Sequence, residues 1–178
     1  MKYRSFLLFL GLSLSHSPLF AGSLYGQVGG SPIFASVEQG LNFFEGSSYQ
    51  AEVGYTSGHW SAHVLFESIN AEATLDERLT ELAQTGFGFG LGYSYLGNFR
   101  AGLEFFVFDR EFSNSQTAEF DGQAVKAFVQ GHYFFSEHFY GLLKFRTVLT
   151  KSLEQRSNGS TGFDTSGQTL VFGLGARL

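Results

Sequence analysis

The chain has no cysteine, so neither a disulfide framework nor a cysteine-based metal centre is open to it. Proline occurs only twice in 178 residues, so little interrupts the pairing of backbone into sheets. Charged residues make up 15% of the sequence, well under the roughly 25% of ordinary soluble domains. No internal run approaches the roughly 20 apolar residues that a membrane-spanning helix requires. Phenylalanine and glycine are abundant instead, with 22 and 23 copies. Much apolar surface, few charges and no spanning helix do not fit a soluble globule. The length suits one domain and is short for two.

The first residues carry a compartment signal. Lys2 and Arg4 form a basic start, Ser5 to Leu14 ("SFLLFLGLSL") an apolar core, and Ala21-Gly22-Ser23 a run of small residues. This pattern predicts a secretory signal peptide over residues 1–23, cut before Leu24, and a mature domain over 24–178. Without Lys2 and Arg4 the mature chain holds 9 bases against 16 acids, a net charge of about −7. That balance excludes nucleic acid as an expected partner.

The mature chain alternates with period two, as strands with two unlike faces do. In "TGFGFGLGYSYLGN", Phe87, Phe89, Leu91, Tyr93 and Tyr95 share one face, with Gly86, Gly88, Gly90, Gly92 and Ser94 on the other. Similar segments begin near Tyr49, Trp60, Phe99, Ala124, Tyr140 and Gln168. An eighth strand is expected between Leu24 and Val37, where Gly29, Gly30 and Pro32 point to an edge, a bulge or a strand start. Tight turns at "SGHW", "LGNF" and "SEHF" alternate with longer polar loops starting near Glu38, Ser68, Asp109 and Thr150. The spacing is 39 residues from His59 to Asn98 and 39 from Asn98 to Glu137. Four hairpins result, with a short helix expected over Ala73 to Leu82.

Strand charges identify the inside. Glu52, Glu67, Arg100, Glu104, Lys126, Lys144, Arg146 and Arg177 all lie opposite the more apolar row of their strand. A charge facing lipid at the midplane costs roughly 2–4 kcal/mol, whereas a polar interior tolerates it. The face carrying these charges is half glycine and too sparse to be a soluble exterior. The aromatic rows therefore face lipid, and the charges face a lumen. Aromatic residues near the turns (Tyr55, Trp60, Tyr93, Tyr95, Phe99, Phe135, Phe139, Tyr140) are placed as an interfacial girdle.

On these features the chain resembles the eight-stranded outer-membrane β-barrels, the class of the OmpA transmembrane domain, the OmpX/Ail group and the opacity proteins. The resemblance covers Leu24 to Leu178 and rests on pattern and architecture. It implies an all-β, eight-stranded antiparallel up-and-down transmembrane β-barrel in the outer membrane of a Gram-negative bacterium. It also implies contact with outer-membrane lipid and lipopolysaccharide, and handling by the outer-membrane assembly machinery. The assembly signal of the class is a C-terminal alternation of apolar residues ending in an aromatic. Leu170, Phe172, Leu174 and Ala176 match it, while Leu178 departs from the usual terminal Phe or Trp.

The remaining chemistry is modest. Glycines alternating through a strand that leads into another strand do not form a dinucleotide loop, which needs a helix after it. His63 and His132 are expected to point inward on different strands, where hydrogen bonding in a polar lumen is the ordinary role. Some barrels of this size modify lipid A with a Ser-His pair, but the His-x-Ser arrangement is absent, and His132 and Ser136 lie four apart. No catalytic residue, metal or cofactor is expected. The lumen charges Glu52, Glu67, Arg100, Glu104, Lys126, Lys144 and Arg146 form either a salt-bridge plug or a gate for a narrow channel. The four loops hold 12 of the 16 acids, a solvated crown or a site for an extracellular ligand. The expected function is a non-enzymatic outer-membrane barrel with a structural or surface-interaction role. A narrow channel and a lipid A-modifying enzyme are the alternatives.

Overall fold

The computed structural model describes residues 22–38, 42–75, 78–95, 98–113, 117–155, 161–163 and 167–178. Residues 1–21 of the expected signal peptide lie outside them. Nine strands run in chain order: β1 (Gly22–Glu38), β2 (Asn42–Ser57), β3 (Trp60–Leu75), β4 (Arg78–Tyr95), β5 (Phe99–Ser113), β6 (Thr117–Phe134), β7 (Phe139–Gln155), β8 (Thr161–Phe163) and β9 (Gln168–Arg177). Each neighbour pair is antiparallel, β6 pairs with β7, β7 with β9, and β9 with β1. The sheet therefore closes on itself with eight staves. The three-residue β8 pairs with β7 beyond the end of β9. Among the described residues, each of the eight staves is thereby paired on both sides, as a lipid environment demands.

Alternation sets the two faces. On β5, Arg100, Glu104, Phe106, Phe108 and Arg110 point inward and are buried, while Phe99, Leu103, Phe105 and Val107 point outward and are exposed. The outer face carries Val28, Val53, Val64, Phe89, Phe105, Val129, Phe145 and Leu174, one from each stave, all exposed. Soluble monomers rarely expose a contiguous apolar belt of this kind. Water is excluded from such a belt only if lipid covers it.

Glycines on the inner face make room for large side chains of the neighbouring stave. A Cβ on Gly88 would lie 2.6 Å from the Phe106 ring, one on Gly122 2.2 Å from Phe108, and one on Gly90 2.1 Å from His63 Nε2. Gly54 and Gly175 make the same space for Tyr25 and Tyr140. The glycine rows are thus the beds on which the lumen aromatics lie.

Two irregularities reshape the wall. The β1/β2 register shifts between Ser31 and Phe34, around Pro32, whose missing N–H suits a bulge. The β6/β7 register shifts between Val125 and Lys126. Lys126 faces Val148 and Val125 faces Thr150, so Leu149 is the extra residue. Beyond it the inward parity of β7 changes, and Lys151 and Leu153 are buried in place of even-numbered residues.

The structure corrects three expectations. Ala73 to Leu75 and Arg78 to Leu82 are strand, not helix, with Ala73 facing Thr80 and Leu75 facing Arg78. The reason is a small apolar core in the lumen, where Ile69, Ala71 and Leu82 pack with Phe112 and draw the strands onward. The expected long loops are for the most part strand extensions. Of their 12 acids, Glu38, Glu45, Glu72, Glu81, Asp109, Glu111, Glu119, Asp121 and Glu154 lie in strands, and Asp76, Glu77 and Asp164 lie outside the described residues. Finally, Tyr140 is buried in the lumen at 4% exposure and does not join the girdle.

Strands of 15–18 residues in β2 to β7 exceed the roughly 9–11 that cross a bilayer. The surplus projects past the apolar belt at the end away from the tight turns. Its outer face is acidic: Glu45, Glu72 and Glu81 are in register across β2–β4, and Asp109, Asp121 and Glu154 across β5–β7. All six are exposed.

Candidate functional site: an alternating charge chain in the lumen

Glu52, Glu67, Arg100, Glu104, Lys126, Lys144 and Arg146 are all buried, and their side chains form one chain of alternating sign. Arg100 Nη2 donates to Glu52 Oε1 at 2.6 Å. The other carboxylate oxygen of Glu52 accepts from Lys144 Nζ at 2.8 Å. Lys144 Nζ is also 2.5 Å from Glu104 Oε1. Glu104 Oε2 lies 3.6 Å from Arg146 Nη1, a charge contact too long for a hydrogen bond. Arg146 Nη2 then pairs with Glu67, which also accepts from Lys126. The links join β5, β2, β7, β3 and β6, so the chain crosses the lumen repeatedly. Each of its three carboxylates is at most 1% exposed.

Burying charges is tolerable only when each finds a partner of opposite sign and further hydrogen bonds. Below the chain, toward the tight turns, a polar layer supplies them. Tyr25 Oη donates to Glu52 at 2.8 Å and accepts from Arg100. Gln130 Oε1 accepts from Arg100 at 2.8 Å, its Nε2 donates to Gln27 at 2.9 Å, and Tyr140 donates to Gln27 at 3.2 Å. Aromatic faces cover the cations: Lys144 stands 4.7 Å from the centre of the Phe128 ring and Lys126 4.2 Å from that of Phe106.

His63, expected to point inward, is buried at 2% and lies between two links, Nδ1 3.6 Å from Glu52 and Nε2 3.4 Å from Glu104. Ligand atoms of Glu52, His63 and Glu104 fall within 4.8 Å of one another, the makings of a metal site. Lys144 Nζ contacts both carboxylates, so the ammonium already supplies the positive charge that a metal ion would bring to them. His132, the other inward histidine, is half-buried beside Gln130 and Tyr140.

Above the chain, Leu65, Phe106, Phe108, Ala124 and Leu153 form an apolar cluster inside the lumen, with Phe120 against it. Small spaces remain on either side. One of about 70 Å³ lies at the turn end among Tyr25, Arg100, His132, Tyr140 and Arg177. One of about 20 Å³ lies toward the other end.

No protein-family model matches the chain, and no curated protein matches it. Among solved structures it is similar to Neisserial surface protein A, with 12% identity over 89% of this chain and 98% of that one and a TM-score of 0.55. It is similar to the outer membrane protein OprG from Pseudomonas aeruginosa, with 12% identity, coverage of 88% and 95%, and a TM-score of 0.52. A major outer membrane protein from Thermus thermophilus gives 11% identity, coverage of 89% and 100%, and a TM-score of 0.50. The fold is that of an eight-stranded outer-membrane β-barrel.

Within this barrel, two buried lumen cations go beyond those expected from the sequence. Arg110 and Lys151 fall in the segments expected as loops, yet both are 4% exposed. Arg110 has the same even parity as Arg100 and Glu104 on β5, so alternation extended past Phe108 finds it. Lys151 follows the bulge at Leu149, and no parity rule anticipates it. Arg177 differs in the other direction: it is exposed at the rim, where Nε donates to Ser23 Oγ at 2.7 Å. The residues of the expected assembly signal share the outer face of the last stave, with Phe172 53%, Leu174 62% and Leu178 85% exposed.

Proposed function

We propose that the protein is a non-conducting barrel of a Gram-negative outer membrane with a structural or surface-interaction role. The observation that carries this reading is the filled lumen, which holds both an ionic chain and an apolar cluster of buried side chains. Eight staves enclose a space that side chains fill, so a plug is the ordinary outcome. The apolar belt supports a place in the lipid, and the fold supports the outer membrane. The tight turns face the periplasm, and the acidic strand extensions stand at the level of lipopolysaccharide head groups, available to an extracellular ligand. The C-terminal residues Leu170 to Leu178 serve the assembly machinery.

Planar-bilayer recording of the refolded protein tests the plug: no unit conductance is expected. A second reading, a gated channel, is favoured by the sharing of partners, since Glu52, Glu104 and Arg146 each face more than one opposite charge. Reproducible unit conductance that disappears in Glu104→Ala would establish the channel in place of the plug. On the non-enzymatic reading, lipid A from cells lacking the protein has an unchanged mass spectrum.

A further inference from the structure

The outer wall is uneven where β4 to β7 run side by side. Phe87, Phe89, Phe105 and Val107 stand out from β4 and β5 as an exposed apolar ridge. Beside the ridge, Val125 of β6 is half-buried. An open groove of about 670 Å³ results on the lipid side. Its far wall is different in kind. Val107 faces Gln123, which faces Ser152, and Phe105 faces Val125, which faces Thr150. The bulge at Leu149 that turns Lys151 into the lumen leaves Thr150 and Ser152 on the outer wall. At its upper end the groove runs into a space of about 440 Å³ bordered by Asp109, Asp121 and Glu154.

One wall is thus apolar, and the other offers an amide and two hydroxyls. Among the described residues, the side chains of Gln123, Thr150 and Ser152 have no hydrogen-bond partner. A polar group beside hydrocarbon is costly unless it is paired. The groove is continuous with the belt that lipid covers, so its occupant comes from the bilayer. An acyl chain matches the ridge, and the carbonyl that joins the chain to its head group matches the donors opposite. The volume is that of a site for one small amphiphile. We propose that the groove holds one acylated lipid of the surrounding leaflet. Its chain lies along Phe87, Phe89 and Phe105, and its linkage carbonyl accepts from Gln123 Nε2 and Ser152 Oγ. The head group leaves past the carboxylates. The site rests on the membrane placement of the barrel and is independent of whether the lumen conducts.

The test uses the full barrel, refolded, stripped of lipid in detergent and studied by native mass spectrometry. It is titrated with a diester phosphatidylcholine or with the diether analogue of the same chain length, which lacks the carbonyls. One diester lipid per barrel is expected, retained at about tenfold lower concentration than the diether, as two hydrogen bonds imply. Equal retention of the two lipids, or a graded series without a step at one, would overturn the proposal. A dimer that carries no lipid would overturn it too, by assigning the groove to a second copy. Gln123→Leu/Ser152→Ala should abolish the preference for the ester while keeping the heat-dependent gel mobility of the folded barrel. Val125→Trp should fill the groove and remove the one-lipid step; a step that persists in folded Val125→Trp counts against the site. The wild-type comparison decides the matter even if a variant does not fold. Failure of the wild type to give a heat-shifted barrel in vesicles would instead refute the membrane placement itself.

Discussion

Replacing Lys144 by methionine cuts the ionic chain at its middle, and the size of the effect can be worked link by link. The ammonium serves two carboxylates, at 2.8 Å and 2.5 Å, and all three side chains are fully buried. Glu52 keeps a strong partner in Arg100 at 2.6 Å. Glu104 retains only His63 at 3.4 Å and Arg146 at 3.6 Å, so the loss falls mainly on one poorly compensated carboxylate. Removing one member of a buried pair costs about 3–5 kcal/mol. With one of the two acids still well paired, the lower end applies, about 3 kcal/mol, or roughly a hundredfold in the folding equilibrium. Urea titration of the barrel in lipid vesicles measures this, followed through the single tryptophan, Trp60, which is 64% exposed on the outer face. Adding Glu104→Gln to Lys144→Met should recover part of the loss, because the orphaned charge is then gone. Zinc should stabilise Lys144→Met and leave the wild type unchanged, since Glu52, His63 and Glu104 would then be free to converge on a metal. A loss below about 1 kcal/mol, or no recovery in the double variant, would refute the argument that partnering of buried charge holds this lumen together.

Glycine positions give a paired test. In Gly90→Ala the new methyl would meet His63 at 2.1 Å, so a loss of about 1–3 kcal/mol is expected in the same titration. Gly26→Ala meets nothing within 4 Å and should gain about 0.5 kcal/mol through reduced chain entropy. Leu103 and Glu104 are neighbours at one depth on opposite faces. Leu103→Arg should therefore cost about 2–4 kcal/mol, seen as a reduced yield of heat-shifted barrel in vesicle folding assays.

Legibility of the sequence follows the contrast between the two faces. Where lipid meets one side and the lumen the other, as along Gly86 to Tyr95, alternation is sharp and the inward charges can be picked out without coordinates. Pro32 marks the place where β1 departs from its register with β2. Beyond the lipid belt the outer face turns acidic, while the lumen face mixes apolar residues such as Ile69, Ala71 and Leu82 with cations such as Arg110 and Lys151. Alternation therefore no longer separates apolar from polar in one direction. That is why the segment around Ala73 to Leu82 reads as a helix within a loop, and why Arg110 and the strand acids read as loop residues. Lys151 is hidden for a different reason. An inserted residue at Leu149 reverses the parity, and only the β6/β7 pairing exposes it. Tyr140 is ambiguous because an aromatic beside a turn suits a girdle and a lumen equally well.

The glycine beds and the charge chain together bear on how the staves find their alignment. A strand that slips by one residue turns its apolar row into the lumen, and burial alone rejects it. A slip of two keeps every face correct, and burial cannot detect it. Here such an error is still visible to the molecule. Moving β5 by two would bring glycine or phenylalanine opposite Lys144 in place of Glu104, and would carry Gly102 out from under the Phe128 ring that now covers it. Ion pairs that join residues as far apart as 92 positions in the chain can form only once the staves have closed correctly. The lumen thus acts as a proofreader of register, rewarding one closure among several that lipid alone would accept.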